Sequence, residues 1–184
     1  MPGPRRENRG RNAAAANRTA LLSAARQRFA VDGFDASLSA IARQAGVGQG
    51  SLYRHFPDRI SLAVAVFDDN VAELETLAAR PETSLDHLLS LLTEQTIASV
   101  AFIDMLRASD DDPRLRGVVE RVTEVLGRKL RAAQREGEAH ESVAPRQLLL
   151  AVEMVAALMA KTPARTRRDV AGQAWAMLRP SIFR

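Results

Sequence analysis

The chain of 184 residues contains no cysteine. That excludes disulfides, thiolate nucleophiles, iron–sulfur clusters and cysteine zinc sites together. It has three histidines, His55, His87 and His140, and no two lie three or four residues apart, so a helical His-x-x-x-His metal site is excluded. Aromatic residues make up only 4% of the chain, too few for a large aromatic cation cage. No apolar run approaches the roughly 20 residues that span a bilayer. The N-terminus carries arginines but no apolar core of a secretory signal, so a cytoplasmic protein without membrane contact is expected. No metal, cofactor or catalytic residue is expected either. The stretch Gly46-Val47-Gly48-Gln49-Gly50 follows a helical pattern rather than a strand and lacks the lysine of a phosphate loop.

What the chain does have is arginine and a hydrophobic fraction of 46%, enough for a sizeable core. The charge is unevenly placed. Residues 1–56 carry a net charge of +6 and residues 57–184 a net of −2. A basic end on a near-neutral body fits a polyanion partner, or a solvated arginine-rich surface.

Apolar residues recur at helical spacing from Arg18 onward, and no alternating strand pattern is present, so the fold class is all-α. Residues 1–17, with Pro2, Gly3, Pro4, Gly10 and four arginines, read as a flexible basic arm. Helices are expected over about 18–32, with Gly33 as a stop, and from a Ser37 cap to Ala45. Others follow over 49–56, from an Asp58 cap to about Ala78, and from Leu85 toward Ser109. The last three begin at Pro113, Pro145 and about Arg168. The domain division is an arm at 1–17, a domain at 18–62 that holds the two short helices, and a helical domain at 63–184.

The two short helices around Gly46 form a helix-turn-helix pattern, with Phe29, Ile41, Ala45, Val47, Leu52 and Phe56 as its small core. At 100° per residue, Leu52 and Phe56 of the second helix point inward. Gly50, Ser51 and Arg54 then point outward, with Tyr53 and His55 on the two flanks. Arg54 and Ser51 would reach base edges, Gly50 would let the backbone approach, and Tyr53 and His55 would meet phosphates. The DNA-contacting set is Ser37, Gln49, Gly50, Ser51, Tyr53, Arg54 and His55. A two-helix corner with a glycine turn is also common in all-α proteins without DNA partners. Taken alone, Tyr53 is more often a half-buried packing residue and His55 more often a surface histidine.

Ala24-Ala25, Phe29, Gly33-Phe34, Ile41-Ala42, Ala45-Gly46-Val47 and Gly50-Ser51-Leu52-Tyr53-Arg54-His55-Phe56 together resemble the N-terminal signature of the TetR family of bacterial transcriptional regulators. The resemblance covers roughly residues 18–62. It implies a homodimer that binds double-stranded DNA as a repressor and is released by a small-molecule effector. It makes 49–56 the recognition helix, gives Tyr53 and His55 DNA-backbone contacts, and adds Arg59 as a phosphate contact. Three positions depart from the pattern. Gly48 stands where a Ser or Thr cap is usual, Arg28 where an aliphatic residue is common, and Pro57 follows Phe56.

The helix over 147–160 is apolar nearly all round. Leu149, Val152, Val155, Ala156 and Met159 suit a core, leaving Leu148, Ala151, Met154, Ala157 and Leu158 for a partner subunit or for complete burial. With the last helix, the dimer-interface candidates are Leu148, Ala151, Leu158 and Trp175. Trp175 reads equally as core. Candidates for a ligand pocket are Phe67, Leu74, Leu88, Leu92, Phe102, Asp104, Met105, Val122 and Met154. Taken singly, each hydrophobic member reads as ordinary core before it reads as a ligand contact. The alternatives to a ligand-released repressor are a ligand-independent DNA-binding protein, and a helical effector-binding protein or enzyme with a vestigial helix-turn-helix.

Overall fold

The structure is a computed structural model and describes residues 5–33, 35–98 and 112–184. Eight α-helices lie among the described residues. They are α1 (Arg5–Asp32), α2 (Leu38–Gln44), α3 (Gln49–His55), α4 (Arg59–Ala78), α5 (Leu85–Ala98), α6 (Pro113–Arg135), α7 (Pro145–Lys161) and α8 (Arg167–Leu178). Short 3-10 turns at Ala164–Thr166 and Arg179–Ser181 flank α8. The C-terminus is tied back by an isolated bridge between Ala139 and Phe183.

The helix ends follow local chemistry. Ser37 accepts the Ala40 amide at the start of α2. Asp58 forms a reciprocal capping box with Ser61 at the start of α4. Asp112 caps α6 ahead of Pro113, and Ser84 accepts the His87 amide at the start of α5. Gly33, Gly46 and Gly137 adopt positive φ, where a Cβ is strained. The expected irregular arm is corrected here: α1 starts at Arg5, not near Arg18. Arginine and the Ala13–Ala16 run are strong helix formers, so the backbone continues helically although no apolar stripe calls for it.

Two main cores result. The first joins Leu21, Leu22, Ala25 and Phe29 of α1 to Ile41, Val47, Leu52 and Phe56, and to Leu62, Val66 and Phe67 of α4. Leu115 from the first turn of α6 also belongs to it. The second packs Leu85, Leu89, Leu126, Leu130, Leu148, Val155, Met159 and Trp175. A smaller cluster of Leu74, Leu88 and Val125 lies among α4, α5 and α6. Helix α4 therefore runs from the first core into the body, and α6 lies along it.

Gly46 lends itself to a direct test. Its φ is +67° and no atom crowds a Cβ there. Gly46→Ala then costs backbone strain alone, about 1–2 kcal/mol, and lowers the melting temperature by about 2–8 °C. Gly50→Ala, in a helix with open space around it, raises stability by about 0.5–1 kcal/mol. Thermal unfolding of the two variants should therefore move in opposite directions.

Candidate nucleic-acid interface

Helix α3 is held by apolar contacts on one side only. Leu52 and Phe56 are buried at 1% and 3% exposure, and α1 and α2 both pack against the helix. The turn before it is closed by the Val47 amide donating to the Ala42 carbonyl at 3.0 Å. Gly48 occupies the cap position without a side-chain bond. The Arg18 guanidinium lies 5.4 Å from the centre of the Phe56 ring, a cation–π contact that joins α1 to the end of α3. Sequence spacing alone did not single out Arg18.

Gln49, Gly50, Tyr53 and Arg54 are exposed, whereas Ser51 and His55 are half-buried. The exposed arc is thus centred nearer Tyr53 than the expected Gly50–Ser51–Arg54 face. The two flanks are unequal because α1 and α2 cover more of the helix than Leu52 and Phe56 alone occupy. Arg54 Nε donates to the Gly50 carbonyl at 3.2 Å, which leaves four further guanidinium donors for other partners. The Ser37 hydroxyl lies at the surface, 2.7 Å from the Ser39 hydroxyl. Arg59 pairs with Asp35 at 3.4 Å. Arg28, at the departing core position, is half-exposed and pairs with Asp32 one turn along.

Two ionic clusters fasten α4 to α6. Arg121 binds Asp68 at 2.7 Å and both carboxylate oxygens of Glu75 at 2.9 Å. Its side-chain hydrogen bonds hold the Glu75 carboxyl below its ordinary pKa. Arg114 bridges Asp58 and Asp112. Hydrogen bonds from the Arg114 side chain, then from its backbone amide, pull Asp112 down to about 2. Burial works against ionising Asp58, but the Ser61 amide and Arg114 outweigh it, so its pKa is lowered too. A depressed carboxylate stabilises the folded state above its unfolded pKa near 4, and that contribution is lost as pH falls toward 2. The bridge is therefore fully charged across neutral pH.

The described pocket candidates divide among the clusters. Leu74 and Leu88 meet in the small third cluster, with Leu92 against it. Phe67 belongs to the first core and Val122 packs on the second. Met154 is 53% exposed on the outside of α7, which corrects its assignment to a pocket. Phe102, Asp104 and Met105 lie outside the described residues. A shallow groove lined by Asp86, His140, Arg179, Pro180, Phe183 and Arg184 contains none of the candidates.

The dimer candidates also divide. Leu148 and Ala151 are buried within the protomer, a correction to their expected outward placement, and Trp175 is buried too, as its core reading has it. The Trp175 indole donates to Thr93 at 2.8 Å, anchoring α8 on α5. Leu158 remains exposed, in company with Leu150, Met154 and, on α8, Met177. Helix α7 is apolar on every side, so periodicity does not distinguish its inner stripe from its outer one. Among the described residues, no group of three or more histidine, aspartate or glutamate side chains is arranged to hold a metal ion. No described helix is long and apolar enough to cross a membrane.

The family description "Bacterial regulatory proteins, tetR family" matches residues 21–66, which span the helix-turn-helix. The HTH-type transcriptional regulator UidR of Escherichia coli K12 is 26% identical over 136 residues, covering 66% of this chain and 68% of its own. A TetR transcriptional regulator from Streptomyces coelicolor superimposes with a TM-score of 0.66 at 26% identity, covering 90% of this chain and 98% of that one. A gamma-butyrolactone receptor superimposes with a TM-score of 0.65 at 21% identity, covering 94% and 90%. Residues 21–66 thus match the TetR-family model, and the chain is similar in sequence and fold to bacterial transcriptional regulators of that family.

Proposed function

We propose that this regulator binds a palindromic operator as a homodimer, represses transcription there, and is released by a small-molecule effector. The observation that carries the DNA-binding part is the exposed arc of α3. It presents Gln49, Gly50, Tyr53 and Arg54 on a helix whose other side is anchored in the first core. Arg54 reads base edges, Tyr53 and His55 meet the phosphate walls, and Ser37, Ser51 and Arg59 complete the contact set. The helix-turn-helix unit is residues 18–62 and the effector-binding and dimerisation body is residues 63–184.

The homodimer is supported by the outer face of α7 and α8. Leu150, Met154, Ala157 and Leu158 fall within an arc of about 100° on α7. On α8, Gly172 and Ala176 are exposed four residues apart beside Met177, small enough to let a second copy of the helix approach. A dimer must hold its two α3 helices about 34–36 Å apart to enter successive major grooves. An effector releases the DNA only to the extent that it binds a wrongly spaced state more tightly. The gamma-butyrolactone receptor among the fold neighbours supports an effector-responsive body. Leu74, Leu88, Leu92, Phe67 and Val122 are the described residues nearest to such a role.

Selecting binding sites from random DNA with the purified protein tests this reading. A palindromic consensus is expected, and a protein that enriches no sequence refutes it. A thermal-shift screen against small metabolites then separates an effector-released repressor from a ligand-independent one.

The N-terminal extension gives another expected result. Within residues 12–32 of α1 the first buried residue is Leu21, and the helix reaches back from there to Arg5, about 24 Å along its axis. Deleting residues 1–11 leaves folding intact, lowers DNA affinity, and flattens its salt dependence by up to about one unit of slope per lost phosphate contact. Equal slopes with and without the segment would make it inert in DNA binding.

A further inference from the structure

Arg114 stands at the first turn of α6 and touches two helix caps at once. Its Nη1 donates to both carboxylate oxygens of Asp58 at 3.1 and 3.0 Å. Its Nε and Nη2 hold Asp112 in a bidentate pair at 3.0 and 2.7 Å. Asp58 is the N-cap of α4 and accepts the Ser61 amide at 2.6 Å. Asp112 is the N-cap of α6. A single guanidinium therefore joins the starts of two long helices, through residues 56 positions apart.

The location makes this junction consequential. Asp58 follows Phe56, the C-cap of α3, by only two residues. Next to Arg114, Leu115 is buried at 2% in the same core as Leu52 and Phe56. Two turns further along the same side of α6, Arg121 grips Asp68 and Glu75 of α4. The two helices are thus fastened by three ion pairs, Arg114–Asp58, Arg121–Asp68 and Arg121–Glu75. A 20-residue helix is about 30 Å long, so a 5° tilt displaces its end by about 2.6 Å. Doubled across a dimer, that is enough to spoil the spacing of two recognition helices. The pair is not there chiefly for stability. Arg114 and Asp58 are 41% and 49% exposed, and exposed ion pairs contribute about 0–1 kcal/mol. What a bidentate guanidinium adds is fixed direction.

We propose that Arg114 is a positioning residue for operator binding: it ties the cap of α4 to the cap of α6, so that the placement of α6 sets the placement of α3 without Arg114 touching DNA. The inference rests on the DNA-binding reading above and adds the joint that connects the body to the recognition helix.

The test measures affinity for the selected palindrome and for an isolated half-site, each at several salt concentrations. Wild type is compared with Arg114→Met, Arg114→Lys and Asp112→Asn. Arg114→Met is expected to weaken full-palindrome binding by about 5- to 100-fold, the usual range of coupling between sites. Half-site affinity and salt slope stay as in wild type. Lysine restores part of the loss, because an ammonium is a point charge that cannot hold both carboxylates in a fork. Asp112→Asn keeps the cap but removes one charge of the bridge, and gives a smaller loss of the same kind. Should Arg114→Met not fold, the Asp112→Asn protein decides by the same criteria. Equal losses on half-site and palindrome with a flatter salt slope would show a direct phosphate contact and overturn the proposal. Unchanged palindrome affinity overturns it as well, while leaving the DNA-binding reading standing. A wild-type protein that selects no DNA removes both.

Discussion

Leu158→Glu is expected to leave the protein folded and monomeric at micromolar concentration, and to remove its affinity for a palindromic operator. Leu158 is 41% exposed on the protomer, flanked by exposed Leu150 and Met154. A carboxylate there costs the isolated protomer little, because water reaches it. In a symmetric interface the same substitution occurs twice, and each carboxylate must be desolvated or left as a gap. At about 2–3 kcal/mol per subunit the dimer loses about 4–6 kcal/mol, a factor of roughly 1,000 to 30,000 in its dissociation constant. Sedimentation velocity measures the assembly and circular dichroism the fold. The contrasting variant is Ala151→Glu. Ala151 is 7% exposed inside the second core, so its substitution should lower the melting temperature before it affects association. A Leu158→Glu protein that sediments as the wild type does and binds the operator normally would remove this face from the interface.

Arg54→Ala carries the second large effect. Arg54 is exposed on α3 and bonded only lightly to its own helix through Gly50. Its removal should therefore change folding stability by less than about 0.5 kcal/mol. Against DNA it loses about 1–3 kcal/mol at each half-site, hence about 2–6 kcal/mol on a palindrome. Base preference should relax at the positions it reads. Tyr53→Ala, within the same arc, should weaken binding to all sequences more evenly. Salt dependence distinguishes the two roles available to Arg54. A base-reading arginine leaves the slope nearly unchanged, whereas a phosphate-binding one reduces it by about one unit. Unaltered base preference in the Arg54→Ala protein would overturn its assignment to readout. Gly50→Ala adds a sharper contrast, since it should raise stability while weakening DNA binding if the backbone approaches the groove closely.

Local rules made most of the architecture readable. Ser37, Asp58 and Asp112 cap helices as their side-chain chemistry requires, and Gly33 and Gly46 take the positive φ of a helix stop. The helix-turn-helix core was legible too, because Leu22, Ala25 and Phe29, then Ile41 and Ala45, then Leu52 and Phe56 each recur at helical spacing within one helix. Such features depend on neighbours a few residues apart, so they are written into the sequence directly. The start of α1 was not legible in the same way. It rests on the propensity of alanine and arginine rather than on an apolar stripe, and composition there reads equally as a loose arm.

The remaining decisions needed the packed molecule. Helix α7 has apolar residues on all sides, so two stripes are chemically equivalent along the chain. Only its contacts with α5, α6 and α8 turn Leu148 and Ala151 inward and leave Leu150 and Met154 outside. The exposed arc of α3 shifts toward Tyr53 because α1 and α2 together cover more of it than its two anchors imply. The Arg114 bridge to Asp58 has no sequence signal, since it joins residues that meet only after α6 lies along α4. Caps, turns and stripes are set by covalent neighbours at fixed helical angles. The choice between equivalent faces and the pairing of distant charges is set by which surfaces meet when the helices pack.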